Sequence, residues 1–251
     1  MNVVKAHAFG NDFLLLAEQA APAAGESADL ARRLCDRHRG IGADGLIIFS
    51  DGPRGARMRL LNADGSSSEV SGNGVRCLAA WLARVRGLTI GDCIEIETDA
   101  GVKSLELLSQ EGRRLTFRAQ MGEPEQIRQQ TIDVEGTSIR TVTLRVGNPQ
   151  CVVLGEVTPE RLLSVAARLA VHPVFPEGSN VELAAVEAPD RVRILIWERG
   201  VGPTESSGTG ACAAAVAAMA FGGASRDVQV ISPGGAQRVE WREDGLCLTG
   251  W

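Results

Sequence analysis

Ser71-Gly72-Asn73-Gly74 and Ser207-Gly208-Thr209-Gly210 are the stretches that decide the fold. Each is a glycine-rich turn followed by a run of small and apolar residues that predicts a helix. The two serines are 136 positions apart, from 71 to 207. A match between such distant segments indicates an internal repeat, in which each half of the chain builds one similar unit.

Three further pairs occur at nearly the same spacing, and they extend the repeat over most of the chain: Asn11 with Asn148, Asp44 with Asn180, and Asn62 with Glu198. Coincidence among common glycine turns explains one such pair but not four in register. We therefore expect two halves, residues 1–112 and 113–251, that pack face to face about a pseudo-twofold axis. The last strand is able to return to the N-terminal half.

The hydrophobic patterns are typical of an α+β protein with many short strands and few helices. The predicted strands are Val3–Phe9, Phe13–Ala17, Leu46–Phe49, Arg57–Leu61, Cys93–Thr98, Leu115–Met121, Ile139–Val146, Val192–Trp197 and Val228–Ile231. The predicted helices are Ala28–His38, Val75–Arg86, Pro159–Ala170 and Ala211–Phe221. The last helix is apolar on every side, which predicts that sheet surrounds it. Ala17–Glu26 is predicted to be a loop.

Composition and motifs exclude several classes of protein. A net charge of −5 leaves no broad basic surface for nucleic acid. Only Lys5 and Lys103 could form a Schiff base, and the three histidines are too scattered for a metal site, so we expect no cofactor and no metal. The uncharged stretch 206–225 consists mainly of glycine, alanine and serine, so we expect a core helix and no membrane partner. Six scattered cysteines without a Cys-x-x-Cys pair, and no signal peptide, favour a reduced cytoplasmic protein.

Two familiar motifs are incomplete at the glycine turns. Gly72-Asn73-Gly74 lacks the third glycine of a dinucleotide-binding loop, because Cys77 stands in its place. Ser207 precedes its glycines, so the Gly-x-Ser-x-Gly turn of a serine hydrolase is absent.

The paired turns suit proton transfer next to a carboxylate. A glycine turn that opens a helix presents N–H donors and the positive end of the helix dipole, which together bind an anion. With two such ends directed at one point, Ser71 and Ser207 would flank the neighbouring carbon on opposite faces. Stereoinversion without a cofactor needs one acid–base group on each face. The converging N–H groups would stabilise the carbanion.

The chain resembles the diaminopimelate epimerases through an ordered set of motifs that covers nearly its whole length. These motifs are Phe9-Gly10-Asn11-Asp12-Phe13, Gly40-Ile41-Gly42-Ala43-Asp44-Gly45, Asn62-Ala63-Asp64-Gly65-Ser66, Gly72-Asn73-Gly74-Val75-Arg76-Cys77, Gly147-Asn148-Pro149, Asn180-Val181, Glu198-Arg199-Gly200-Val201-Gly202 and Gly208-Thr209-Gly210-Ala211-Cys212-Ala213. The resemblance implies two pseudo-symmetric halves, each a curled antiparallel sheet around a central helix, with the active site in the cleft between them. It also implies a homodimer.

The resemblance assigns roles to individual residues. Backbone N–H groups of Gly72, Asn73, Gly208 and Thr209 would hold the reacting carboxylate, and Glu198 would accept the reacting ammonium group. The distal amino-acid end of diaminopimelate would be bound by a second set of side chains, namely Asn11, Asn62, Asn148, Asn180 and Arg199. An arginine that can pair bidentately with a carboxylate favours a dicarboxylic substrate over a shorter amino acid.

The chain departs from the resemblance at the two acid–base positions, where the family has cysteine and this chain has Ser71 and Ser207. A hydroxyl is far less acidic than a thiol and needs an adjacent base to act. Gln150 also stands where the family usually has histidine. Cys77 and Cys212 lie further into the helices and are expected to be buried structural thiols.

Three hypotheses follow from these departures. The chain is an epimerase that converts LL- to meso-diaminopimelate but is impaired by the loss of its thiols. Alternatively, it uses hydroxyls for another proton transfer, as a racemase or a dehydratase of a hydroxylated amino acid. The third possibility is a non-catalytic amino-acid-binding protein.

Overall fold

The computed structural model describes residues 2–251, apart from the side chain of Ala24. The described chain forms two compact units. The first extends to Ala119 and includes Trp251, and the second is Gln120–Gly250. The division that we predicted after residue 112 lies in the turn between two paired strands, and it stays a prediction of where the halves of the sequence divide.

The first unit contains one sheet and two α-helices. Its strands are β1 (Val3–Ala8), β2 (Asn11–Ala17), β3 (Gly45–Gly52), β4 (Gly55–Asn62), β5 (Ser67–Ser68), β6 (Cys93–Thr98), β7 (Gly101–Glu111) and β8 (Arg114–Gly122), the last residues of which belong to the second unit. Its helices are α1 (Ser27–Cys35) and α2 (Gly72–Arg86). The strands pair in the order β1-β2-β3-β4-β6-β7-β8, with the short β5 on β4. Among the strand pairs described for this unit, β2/β3 and β4/β6 are parallel and the others are antiparallel.

The second unit repeats this plan. Its strands are β9 (Glu125–Val134), β10 (Thr137–Val146), β11 (Asn148–Leu154), β12 (Asn180–Ala188), β13 (Arg191–Glu198), β14 (Gly202–Thr204), β15 (Asp227–Ser232), β16 (Gly235–Arg242) and β17 (Gly245–Gly250). Its helical segments are α3 (Pro159–Arg161), a π-helical turn (Leu162–Ala166), α4 (Ala167–Ala170) and α5 (Gly208–Phe221). The pairing order is β9-β10-β11-β12-β13-β15-β16-β17, with β14 on β13.

The pairing pattern confirms the internal repeat. Strands β1 to β8 correspond in order to β10 to β17, and α2 corresponds to α5. The two parallel pairs of the first unit, β2/β3 and β4/β6, recur as β11/β12 and β13/β15. A parallel pair needs a crossover connection, and here the crossovers carry the helices. The two glycine turns therefore occupy equivalent places in two similar units.

Each sheet separates two helical layers. In the first unit, Leu14, Leu46 and Ile48 pack against α1, while the opposite face of the sheet meets α2. In the second unit, Val181 and Leu183 pack against the helical segments between β11 and β12. Because successive strand residues point to opposite faces, Glu182 points to the other side, towards α5.

Helix α5 lies at the centre of the second unit. It contacts β10, β11, β12, β13, β15, β16 and β17, so the sheet curls around it. Its first eleven residues, Gly208–Ala218, are all buried. Small side chains make this enclosure possible, because eight of these residues are glycine or alanine. The apolar helix predicted from the sequence is confirmed, and no described helix is long and apolar enough to cross a membrane.

Several local predictions need correction. Ala17–Glu26 contains two short 3₁₀ turns, Glu18–Ala20 and Ala24–Glu26, and is not wholly a loop. Helix α1 ends at Cys35, since the following segment turns back and Gly40 donates to the carbonyl of Asp36. The predicted helix over Pro159–Ala170 is present but contains a π-helical turn, and Thr158 caps it as expected. The sequence patterns missed seven strands, β5, β7, β9, β11, β14, β16 and β17, and indicated β12 only as a strand-like run after Asn180.

Candidate active site

Ser71 is the N-cap of α2 in the first unit. Its backbone is extended, with φ −129° and ψ 123°, and its Oγ accepts a hydrogen bond of 3.1 Å from the N–H of Gly74. Gly72 and Asn73 form the first turn, whose N–H groups cannot bond within the helix. We call Ser71 with Gly72 and Asn73 the candidate half-site of the first unit. It places a hydroxyl beside the positive end of a helix.

Ser207 has the same arrangement at α5 in the second unit. Its φ is −137° and its ψ 131°, and its Oγ accepts a 3.1 Å hydrogen bond from the N–H of Gly210. Gly208 and Thr209 form the first turn of this helix, and the hydroxyl of Thr209 lies 3.5 Å from Ser207 Oγ. Each unit thus builds the same half-site from a serine cap and two first-turn residues. A serine cap typically contributes about 1 kcal/mol to stability, which is a structural reason for serine at both positions.

A polar network supports the half-site in the first unit. Asn73 donates from Nδ2 to Asn11 Oδ1 over 3.1 Å, and Asn11 Nδ2 donates to Asp44 Oδ2 over 2.8 Å. On its other side, Asn73 Oδ1 accepts a hydrogen bond from the buried guanidinium of Arg76. Arg76 also lies over the ring of Phe9 and donates to the carbonyl of Trp251. The structure therefore joins two predicted site residues, Asn11 and Asn73, through their own side chains.

An ion-pair cluster anchors the far end of this network. Arg37 binds both Asp12 and Asp44, and Lys5 Nζ lies 3.0 Å from Asp12. Although burial acts to raise it, hydrogen bonds from Arg37 and Lys5 lower the pKa of Asp12 to about 2. Asp12 is therefore ionised at neutral pH, and it helps to fix the turn that carries Asn11.

Asn180 and Arg199 are joined in the second unit. Asn180 Oδ1 accepts a 2.8 Å hydrogen bond from the backbone N–H of Arg199. The guanidinium of Arg199 donates to the carbonyl of Glu177. Asn180 therefore positions the segment that begins with Glu198, and Arg199 is held at the surface by a backbone contact.

Asn148 and Gln150 form a second pair on the neighbouring strand β11. Gln150 Nε2 donates to Asn148 Oδ1 over 2.5 Å, and Gln150 lies opposite Asn180 in the β11/β12 ladder. In the first unit, Asn62 instead ends β4 and donates to Ser66 Oγ over 2.9 Å. The structure thus brings Asn148 and Asn180 to adjacent strands. It places Asn62 at the end of β4, where its side chain is bonded to Ser66.

The sequence analysis missed Glu182, which lies beside the half-site in the second unit. Glu182 is fully buried on β12, and its Oε1 lies 2.6 Å from the point that a Cβ on Gly210 would occupy. Neither carboxyl oxygen has a hydrogen-bond partner among the described residues. A glutamate among the apolar residues of Asn180–Ala188 was the available signal, but the sequence analysis assigned that glutamate no role.

Burial raises the pKa of the Glu182 carboxyl well above its usual range, and the nearby charge of Glu198 raises it further. An unsatisfied buried polar group costs about 1–3 kcal/mol. A group of this kind in a native structure needs a physical explanation. Glu182 is therefore affected by the charge of Glu198, and both it and Ser207 lie against Gly210.

Cys77 and Cys212 are buried, as predicted, and therefore cannot replace the missing thiols. Burial raises the pKa of Cys77 to about 12. Among the described residues, no group of three or more His, Cys, Asp or Glu side chains could hold a metal ion.

Thiol accessibility gives a first test of this arrangement. Only Cys93 is exposed, so one thiol per chain should react rapidly with Ellman's reagent in the native protein, and all six in denaturant. Cys93→Ser should abolish the fast phase. Any fast thiol that remains in that variant would contradict the buried positions of the other five cysteines, which include Cys77 and Cys212.

Solved structures with a similar fold include a probable proline racemase and a predicted epimerase. A probable proline racemase from Agrobacterium radiobacter K84 superposes with a TM-score of 0.77 at 17% identity, covering 99% of this chain and 89% of the other. A predicted epimerase from Pseudomonas aeruginosa gives 0.75 at 17% identity, covering 99% and 94%. At this identity the likeness concerns the fold alone, which is the two-unit fold of this class of isomerase structures.

The sequence comparisons identify the family within that class. The diaminopimelate epimerase family model matches residues 3–127 and 142–250. The diaminopimelate epimerase of Desulforudis audaxviator is 39% identical over 97% of this chain and 92% of its own length. That of Heliobacterium modesticaldum is 38% identical over 100% of this chain and 96% of its own length. The chain belongs to the diaminopimelate epimerase family.

Proposed function

We propose that this protein converts LL-diaminopimelate to meso-diaminopimelate by cofactor-independent proton transfer at the α-carbon, a step of lysine biosynthesis. The observation that carries the proposal is the pair of equivalent serine-capped helix ends, in a chain that matches this epimerase family over nearly its whole length. We also propose that it acts in the cytoplasm and as a homodimer, as the family resemblance implies.

The family resemblance implies that both half-sites act on one substrate in the proposed reaction. The first-turn N–H groups of Gly72, Asn73, Gly208 and Thr209 bind the α-carboxylate. One serine, deprotonated to its alkoxide, accepts the α-proton as the C–H bond breaks, and the carbanion is stabilised by the N–H donors and helix dipoles. The other serine donates its hydroxyl proton to the opposite face, which inverts the centre. The first serine is then a hydroxyl and the second an alkoxide, and proton exchange with solvent restores the starting state.

The proposed substrate contacts come from both units. Glu198 accepts the reacting ammonium group. The distal amino acid is bound by Asn11, Asn62, Asn148, Asn180 and Arg199. All four asparagines already make hydrogen bonds within the protein: Asn180 with the backbone of Arg199, Asn11 with Asn73 and Asp44, Asn62 with Ser66, and Asn148 with Gln150. Their contribution therefore includes positioning of the neighbouring groups as well as direct contact.

A second candidate function is amino-acid binding without turnover. The observation that favours it is that both serine hydroxyls act as helix caps. Each Oγ accepts a hydrogen bond at the helix end, and serine is a weak acid. In this second function the protein binds the same ligand at the same half-sites, but no proton is transferred.

Deuterium exchange separates the two functions. We expect that incubation with LL-diaminopimelate in heavy water gives meso product with deuterium at the α-carbon. The loss of the α-proton signal is measured by NMR. Ser71→Ala and Ser207→Ala are the controls, and each should abolish inversion. Ligand-induced thermal stabilisation without any exchange would reject catalysis and support binding alone. Failure to bind either LL- or meso-diaminopimelate would reject both.

A further inference from the structure

The two units differ at one point that their shared architecture does not require. The third residue of each central helix is a glycine, Gly74 in the first unit and Gly210 in the second. A Cβ built on Gly74 would meet Ile47 Cδ1 at 3.1 Å and Ser71 Cβ at 3.3 Å. The same construction on Gly210 meets Glu182 Oε1 at 2.6 Å and Ser207 Cβ at 3.1 Å. A carboxyl group in the second unit thus occupies the place that an isoleucine fills in the first.

Packing alone does not account for this glutamate. Ile47 shows that an apolar side chain fills the equivalent space, and Ile47 is itself completely buried. Glu182 is equally buried, and its two oxygens have no hydrogen-bond partner among the described residues. An apolar residue would avoid the cost of burying a polar group. A role in the reaction therefore explains the buried carboxyl group of Glu182 better than a role in packing does.

The nearest reactive group is the hydroxyl of Ser207. Glu182 Oε1 and Ser207 Cβ both lie against the same face of Gly210, so their separation cannot exceed the sum of the two distances above. That range is within reach of a proton transfer through one water or a rotation of the serine side chain. A serine that acts as a base needs such an acceptor behind it.

We propose that Glu182 is the positioning residue that exchanges protons with Ser207, so that the two half-sites are chemically unequal. The inference rests on the proposed function. When Ser207 takes the α-proton, the hydroxyl proton passes to the Glu182 carboxylate. In the reverse direction, protonated Glu182 returns a proton to Ser207 Oγ as Oγ protonates the carbanion. Ser71 has Ile47 behind it and exchanges its proton with solvent.

The surroundings of Glu182 support a proton-exchanging role. Glu198 on β13 supplies a neighbouring negative charge. Burial, and then the charge of Glu182, raise the pKa of the Cys151 thiol on β11. The N-terminus of α5 supplies the opposing positive potential. With burial and Glu198 both favouring the protonated form, the carboxyl holds its proton to a higher pH than an exposed glutamate does.

Thiol titration tests the inference without any need for turnover. In a Cys93→Ser background, Ser207→Cys and Ser71→Cys are introduced separately, each with and without Glu182→Gln. Alkylation by iodoacetamide against pH then reports the thiolate at each position. We expect Glu182→Gln to lower the apparent thiol pKa at position 207 by about one unit or more, since the Glu182 carboxyl, once it has lost its proton, opposes ionisation of the neighbouring thiol and glutamine does not. Position 71 is the matched control and should not change. Identical titrations at position 207 would overturn the proposal.

Isotope exchange supplies the second arm. Glu182→Gln and Glu182→Ile should lower α-proton exchange in the unmodified serine chain by about 100-fold, with unchanged affinity for diaminopimelate and loss of one ionisation from the pH profile. Unchanged exchange and an unchanged profile would overturn the proposal. Loss of folding in Glu182→Ile, with Glu182→Gln unaffected in titration and exchange, would make the role structural. If the chain with native Glu182 shows no exchange, the proposed function fails, while the thiol titration still decides whether Glu182 is coupled to position 207.

Discussion

Ser71→Cys together with Ser207→Cys raises the rate of diaminopimelate epimerisation by about 1,000-fold or more. General acid–base groups typically contribute 10²–10⁴-fold, and the largest contribution needs a pKa near the working pH. A thiol has an ordinary pKa near 8.5, and a helix N-terminus lowers it further. Both serines lie at such an N-terminus, so thiols there are placed for both proton transfers. The measurement is the initial rate of meso product from LL-diaminopimelate.

The single variants and the stability of the double variant are the controls. Ser71→Cys or Ser207→Cys alone should give a much smaller gain, because the face that keeps its serine limits inversion. Each substitution also weakens an N-cap hydrogen bond, so we expect a loss of about 1 kcal/mol in the free energy of unfolding per site. A double variant that binds diaminopimelate and shows no turnover would disprove that only the thiols are missing.

The sequence predicted the repeat because its strongest signals are local. A glycine turn that opens a helix needs particular residues at fixed spacing, so Ser71-Gly72-Asn73-Gly74 and its counterpart at 207 are visible without any structure. The observed serine caps and the equivalent pairing orders of the two units agree with that prediction. The strand Cys93–Thr98 was predicted at its observed bounds, because it alternates apolar and charged residues.

Other features could not be predicted because they depend on contacts between residues that are distant in the sequence. Strand β9 is mostly exposed, so it has no regular apolar pattern, and it is held by its ladder with β10. Glu182 lies on a strand whose two faces are both buried, so alternation gives no signal there. The bond between Asn11 and Asn73 joins residues 62 positions apart. From the sequence, the asparagines were predicted to bind the substrate. The structure shows that some of these side chains also bind each other, as Asn11 and Asn73 do.

Asn73→Ala should lower the free energy of unfolding by about 3 kcal/mol, because it removes a partner of a buried charge. Asn73 and Arg76 are 0% and 1% exposed, and Asn73 Oδ1 accepts from the Arg76 guanidinium. The same change leaves Asn11 Oδ1 without its donor. Thr209→Ala is the matched control at the equivalent position of the second unit. Thr209 is also buried, but its hydroxyl makes only a 3.5 Å contact with Ser207, so a loss of about 1 kcal/mol is expected.

A double-variant cycle assigns the loss to the buried charge. Arg76→Met in the Asn73→Ala background removes the guanidinium, so it should cost less than Arg76→Met alone, or even restore stability. Urea unfolding of the four proteins gives the coupling energy. Additive losses, or a loss for Asn73→Ala no larger than that for Thr209→Ala, would mean that other contacts of Arg76 satisfy its charge. The asparagine would then be present for the substrate carboxylate, and its removal should weaken diaminopimelate binding while leaving stability nearly unchanged. Because both measurements use the same variant, the cycle separates a residue that supports the half-site from one that binds the ligand directly.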